Sequence, residues 1–443
     1  SASLIADNVA VAGGGIAVFR QGDVMPMLFV GDDVRIENNS ATNGGGIYVW
    51  SAYLRIGGSG TIVRANHVSG DDAGGGGIAV LGSDPPRQAL VEIVSGGADG
   101  AGIISANHAE LGGGLYLGNG STVQLYTTDP TQPVRLDHND ALLGGAVFVS
   151  GTTGDASIVE GVIDSNTSSL GGAAVVAWDG GRFTMRSLTA TGVPADAVTC
   201  ETPGACNRVS GNVAASVAAP MPGAIALLDN GIGASRSEVH FQSTHLLGNS
   251  GSSLFADRCR SANCAPLLVE IGNSRIVANP GAARLLEMGS GSGSHFGCDL
   301  CTIAGFAASS EPLFDTNGEL ILSRSILWQP GRDIIGGRTP SYVGADSLQL
   351  HDRADFPSPA FQNIEVGDPR FVAPETGDFR LGVNSPALDR ADVSALPPFD
   401  LDGHARAVDQ PAVPDRPGVA DLGAYERADD GASSDTVFAN GFD

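Results

Sequence analysis

The chain has 443 residues with 24 basic and 49 acidic side chains, and every basic one is an arginine, for a net charge of −25. That surface repels polyanions, which argues against nucleic acid and anionic lipid as partners, and the missing lysines remove Schiff-base and phosphate-loop chemistry. Apolar residues, at 42%, are too many for a disordered chain, and the 63 glycines interrupt them too evenly for a membrane-spanning helix.

One pattern fills the first 175 residues six times: an aliphatic residue, two residues, Asn, about five residues, a small-residue triplet rich in glycine, then a short apolar run. The asparagines are Asn8, Asn39, Asn66, Asn107, Asn139 and Asn166, at intervals of 27 to 41 residues, and such repetition signals a stacked array. After the triplets come Ile16-Ala17-Val18, Ile47-Tyr48-Val49, Ile78-Ala79-Val80, Leu115-Tyr116-Leu117 and Val147-Phe148-Val149. With a side-chain period of two, the outer members of each triad share one face, and their aliphatic character makes that face the interior. No apolar stripe of helical period lies between the strands, so the pattern predicts an all-β fold, a parallel β-helix of strands and turns. Asparagine suits the coil corner: it tolerates the left-handed backbone region, and its amide repeated in register can bond from coil to coil.

The middle position of these strands predicts an outward column of Ala17, Tyr48, Ala79, Tyr116, Phe148, Val175 and Ala226. Solvated outward positions should be polar. Either loops cover this column or it is a binding stripe for a sugar or a protein, with Tyr48, Trp50, Tyr116 and Phe148 as the candidate binding residues.

Beyond residue 180 the pattern loosens but persists, as at Asn212, Asn249, Asn279 and Leu320–Trp328. The six cysteines fall here as near neighbours, Cys200 with Cys206, Cys259 with Cys264 and Cys298 with Cys301. Local pairs in even number favour three disulfides and an oxidising compartment over a zinc site. After about residue 338 the composition shifts to Asp, Pro and Gly. The expected organisation is a β-helix over 1–338, a terminal coil and less regular cap region over 339–427, and a tail over 428–443. No leader is visible before the first repeat, which fits a mature, trimmed form.

The repeat, written most fully in Ile36-Glu-Asn-Asn39-Ser-Ala41-Thr-Asn-Gly44-Gly45-Gly46-Ile47, is similar to that of the polymorphic outer membrane proteins and the wider pectate-lyase-like group. This likeness implies a right-handed β-helix, an extracellular location and a role in adhesion. The stretch Gly367-Asp-Pro-Arg-Phe371 through Asp421-Leu-Gly-Ala-Tyr-Glu426 resembles the choice-of-anchor Q region of secreted bacterial β-helix proteins, and Asp435–Asp443 resembles a short sorting tail. Both imply export to the cell surface or beyond.

Members of the wider group often cleave acidic polysaccharides with clustered carboxylates. Here Asp32, Asp33, Asp71, Asp72, Asp137 and Asp164 sit in turns, where acidic residues are common, and they form no catalytic motif. Asp400-Leu-Asp402-Gly403 with Asp409 resembles part of a calcium loop but lacks its closing acid; turn capping is the expected role, with calcium as the alternative. His67, His108 and His138 flank ladder asparagines, and solvated turn positions are expected for them rather than metal ligation. The sequence therefore predicts a non-enzymatic adhesin or self-assembling scaffold without a required cofactor. The competing reading is a polysaccharide lyase or hydrolase, marked by a groove holding three or more carboxylates and an arginine. An uncapped first coil, Ser3 to Phe19, would present strand edges for self-association.

Overall fold

Short runs such as Val-Arg-Leu-Asp and Val-Phe-Val-Ser cannot bury their aliphatic faces alone, so each packs in register on the equivalent run of the next coil. In the computed structural model the chain folds as a right-handed parallel β-helix, the strands among its described residues gathered into sheets of 22, 10 and 6 strands plus one antiparallel pair, Phe371–Ala373 with Asp378–Leu381. The structure describes residues 2–427 apart from 59, 71–72, 84–86, 96–102, 129–131, 188–206, 217–220, 230–234, 259–264, 278–282, 290–292, 307–308, 353–355 and 357–360. Cys200, Cys206, Cys259, Cys264, Asn279 and the 428–443 tail lie outside the described residues.

One coil shows the plan. Its first side is Val134–Asp137, its second the short Asp140–Leu143, its third Val147–Ser150 and its fourth Asp155–Val159. The next coil then begins with Gly161–Asp164, paired in parallel with Val134–Asp137. Inward side chains stack as aliphatic ladders, for example Ile36, Val63, Ile104, Leu136 and Ile163, all nearly or fully buried. In the second half of the helix the interior is instead an aromatic spine, Phe183, Phe241, Phe255, Phe296 and Phe314, with successive ring centroids 5.6 to 6.1 Å apart. Edge-to-face and tilted packing of this kind suits the ring quadrupoles.

The asparagines form a continuous ladder at the corner between the first and second sides. Asn66 donates both its backbone N–H and its Nδ2 to Asn107 Oδ1 at 3.0 Å, and the same bonding runs from Asn8 to Asn249. One expectation needs correction. The left-handed residue at this corner is the one before each ladder asparagine (Asp7, Asn38, Ala65, Ala106, His138, Ser165, Gly211 and Gly248), so asparagine is selected for its buried amide and not for its backbone tolerance. Its position within that left-handed column also explains why His138 does not align with His67 and His108.

The outward column needs a second correction. Gly44, Gly75, Gly112, Gly144, Gly172 and Gly223 have positive φ, and the first inward strand residue lies three positions later, at Ile47, Ile78, Leu115, Val147, Val175 and Ala226. Val175 and Ala226 therefore point inward, and the outward members are Val176 and Leu227. A register shift opposite Gly171 adds one residue to that corner and moves the count.

The parallel ladder continues past the composition shift through Tyr342–Leu350 and Phe361–Val366. Residues 371–427 then fold back as a flap against the first side of the late coils, where Phe371, Phe379, Leu388 and Leu422 join Ala304 and Ile326 in a second core. Cys298 and Cys301 are joined by a disulfide across a buried corner of the helix, with both side chains inside.

Candidate functional site

The fourth side of the late coils departs from the rest of the surface. Its strands Arg182–Arg186, Ser237–Gln242, Leu267–Gly272, His295–Asp299 and the first half of Glu319–Trp328 alternate, apart from the buried Leu268, and bury Phe183, Val239, Val269, Phe296 and Leu320. The opposite phase therefore faces out, in rows fixed by strand register. One row runs Arg182, Glu238, Leu268, His295, Glu319; the next runs Thr184, His240, Glu270, Gly297, Ile321; the third runs Arg186, Gln242, Gly272, Asp299, Ser323.

The part of these rows made by His240, Gln242, Glu270, Gly272, His295, Gly297, Asp299, Ile321 and Ser323 is the floor of a groove of about 570 Å³ whose far wall is Ala395, Leu396, Pro397 and Pro398 of the flap; Glu238 and Glu319 flank it. Two corner residues with left-handed backbone, Asn273 and Arg324, pin that wall. Arg324 Nη1 donates to the Ser394 carbonyl at 2.6 Å, and Asn273 Nδ2 donates to the Phe399 carbonyl at 3.1 Å. Gly272 and Gly297 keep the floor low, since a Cβ at Gly297 would stand 2.8 Å from His295 Nε2 and one at Gly272 would meet the Gln242 amide.

Polar side chains at this groove pair both within a coil and between coils. His240 bridges two carboxylates, Glu238 at 3.2 Å and Glu270 at 3.5 Å, and His295 lies 3.3 Å from Glu319. Arg236 holds Glu238 through two bonds of 2.8 and 2.9 Å. Burial raises the Glu238 pKa, but hydrogen bonds from Arg236 and His240 outweigh it and leave the carboxyl below its ordinary range. Asp299 is clasped by Arg324, whose pKa is raised by that bond. The floor thus offers donors and acceptors at successive coils. Such a surface can hydrogen-bond hydroxyls along an extended chain.

The candidate residues named from sequence lie elsewhere. Tyr48, Trp50, Tyr116 and Phe148 are on the third side, where the column is covered unevenly: Phe148 is 4% exposed and Trp50 50% exposed. Tyr116, Phe148 and Trp178 stack in sequence with centroids 5.6 and 5.9 Å apart, joined by Val176, Leu227 and Leu143 in one apolar cluster. Burial also raises the Tyr48 pKa. Those rings are packed on one another, and among the described residues Phe19 and Trp50, about half exposed, mark the more open end of this side. On the second side His67 and His108 stack at 5.0 Å, and His108 Nδ1 meets Asp140 at 2.8 Å. The bond to Asp140 raises the His108 pKa, while burial lowers that of His67.

Asp400 acts as the turn former expected of it, accepting N–H bonds from Asp402, His404 and Glu426 at 2.8 to 2.9 Å. The carboxylates that could hold a divalent ion are instead Asp389, Asp409 and Asp415, whose oxygens lie within 4.8 Å of one another. Beneath them the flap buries Asp421, Glu426 and Arg406. Burial raises the Asp421 pKa to about 8 and that of Asp389 to about 6.

Among the described residues no helix is long and apolar enough to cross a membrane. No family model, curated protein or solved structure matches this chain. The fold is consistent with the pectate-lyase-like group, which holds both adhesive scaffolds and glycan-acting enzymes.

The signal that marks the groove in the sequence is the alternation in Ser-Glu-Val-His-Phe-Gln, Leu-Leu-Val-Glu-Ile-Gly and His-Phe-Gly-Cys-Asp, where polar or small residues, apart from Leu268, occupy one phase. The flap wall has no such local signal, because Asn273 meets Phe399 from 126 residues away.

Proposed function

We propose that this protein is an exported, surface-associated β-helix that binds a glycan chain lengthwise in the groove between its fourth side and the flap. The observation that carries this reading is the groove floor itself, in which polar residues recur at successive coils, a strand spacing of about 4.8 Å, and glycines leave room above them. Hydroxyl-rich ligands of low charge fit a floor whose carboxylates are each engaged by His or Arg, and a −25 chain disfavours polyanionic ones. Export is supported by the Cys298–Cys301 disulfide, which belongs to oxidising compartments, and by the likeness of the repeat to secreted proteins. In this reading a divalent ion such as calcium at Asp389, Asp409 and Asp415 has a structural role, holding the flap closed.

A second reading, glycan cleavage, draws on one specific feature, the placement of His240 between Glu238 and Glu270. A screen of neutral and acidic polysaccharides with the purified chain, with and without calcium, separates the two. Retention on a glycan without new reducing or unsaturated ends supports binding alone. Released oligosaccharides that disappear in Glu270→Gln support cleavage, and no retention of any glycan overturns the proposal.

A further inference from the structure

Two imidazoles stand on the groove floor, and they are held differently. His240 meets a carboxylate at each ring nitrogen, Glu238 at Nε2 and Glu270 at Nδ1. His295 is held at one nitrogen only. Its Nδ1 lies 3.3 Å from Oε2 of Glu319, its partner in register on the next coil, while its Nε2 has no protein partner among the described residues.

The strand decides where that second nitrogen goes. Gly297, two residues on from His295, faces out beside Glu270 and carries no side chain of its own. A Cβ there would stand 2.8 Å from His295 Nε2 and 3.8 Å from Glu270 Cγ, so the ring leans along its own strand and brings Nε2 to the space over the glycine. The same space is part of the groove, which His295, Gly297 and Glu270 all line.

A carboxylate only accepts hydrogen bonds, so the contact with Glu319 puts the proton of the neutral ring on Nδ1 and leaves the Nε2 lone pair facing the groove. His295 is then an acceptor. The Glu270 carboxylate beside the same space is an acceptor too. Two acceptors side by side favour a ligand that presents O–H groups there, and they disfavour ether and ester oxygens, which cannot donate.

We infer that His295, its tautomer set by Glu319, selects a free hydroxyl on the sugar lying over Gly297 and thereby favours unsubstituted glycans over O-acylated or O-alkylated ones. This inference rests on the glycan-binding reading of the groove. In it Glu319 is a positioning residue that acts through the imidazole.

Histidine-selective nitrogen NMR reads the tautomer without any glycan. Above neutral pH the wild-type His295 ring should carry its proton on Nδ1, and Glu319→Gln, whose amide can donate as well as accept, should move the ring towards the other tautomer. A neutral wild-type ring protonated on Nε2 would overturn the inference. Calorimetric titration with soluble xylan, dextran and galactomannan, each native and lightly O-acetylated, then reads the selection. His295→Phe keeps a ring over Gly297 without an acceptor, and it should bind the native polymer about tenfold more weakly than wild type does. The double variant with Glu319→Gln should be no weaker than His295→Phe alone, because the carboxylate acts only through the ring. Acetylation should weaken binding by wild type more than by His295→Phe. Equal affinity of wild type and His295→Phe for the native polymer, or additive losses in the double variant, would overturn the inference and leave the groove reading standing. No binding of any of these polymers by wild type would overturn both.

Discussion

Arg324 clasps Asp299 across two neighbouring coils, its Nε 2.9 Å from Oδ1, while its Nη1 reaches the backbone carbonyls of Asp392 and Ser394. One side chain thus ties the groove floor to the groove wall. Arg324→Met keeps much of the stem but removes these bonds, so the flap should loosen more than the helix. The expected result is faster proteolysis near Ala395–Pro398 and glycan affinity lowered about tenfold, equal to about 1.4 kcal/mol. Circular dichroism should be unchanged.

Asn107 is fully buried and ties three coils together, donating Nδ2 to the Val63 carbonyl and to Asn139 Oδ1, both at 3.0 Å, and accepting two bonds from Asn66. Asn107→Ala leaves the two Asn66 donors and the Val63 carbonyl without these partners. Each orphaned buried group costs about 1–3 kcal/mol, so a loss of about 3–5 kcal/mol is expected in denaturant unfolding. Asn38→Ala, at the left-handed corner position just outside the ladder, should cost far less.

The flap should respond to pH. Burial raises the folded-state pKa of Asp421 to about 8 and of Asp389 to about 6, against an ordinary carboxyl value of 3.8. The folded state therefore binds these protons more tightly, and the stability they contribute is complete below about pH 4 and lost as pH rises towards 8. In calcium-free buffer, amide protection factors in residues 371–427, corrected for the intrinsic rise of exchange with pH, should fall from pH 5 to pH 8.5. Asp421→Asn should flatten that dependence.

The repeat was legible in the sequence because its determinants are local. A positive-φ glycine followed three residues later by an inward aliphatic residue, repeated beside a buried asparagine, is visible within about a dozen residues. The fold class, the asparagine register and the inward faces of Ile47 and Leu115 all follow from it. Counting from Gly171 instead of the left-handed Gly172 misplaced Val175 by one residue, and Ala226, its partner in register, was misplaced with it; in a strand one residue reverses the face. The groove was not legible in the same way. Its floor residues come from coils whose glycine signal has decayed, and its wall comes from a flap held by contacts far apart in sequence, such as Arg324 with Ser394.

The third-side aromatics separate packing from recognition. Tyr116 stacks on Phe148, and Gly74 lies so close that a Cβ there would be 2.5 Å from the Tyr116 ring. Tyr116→Ser should lower the melting temperature without altering glycan retention, since it opens a cavity beside Phe148 and leaves the groove untouched. Differential scanning calorimetry with a parallel retention assay reads both effects.

The central claim is that the space above Gly297 holds the ligand. Gly297→Leu places a branched side chain on the floor of the groove, where the nearest obstacle is the movable tip of His295 and the backbone is not left-handed. Isothermal titration of the glycan identified in the screen, against wild type and Gly297→Leu at matched circular dichroism, is the most direct measurement. Loss of at least tenfold in affinity is the predicted result, and affinity equal to wild type would contradict it.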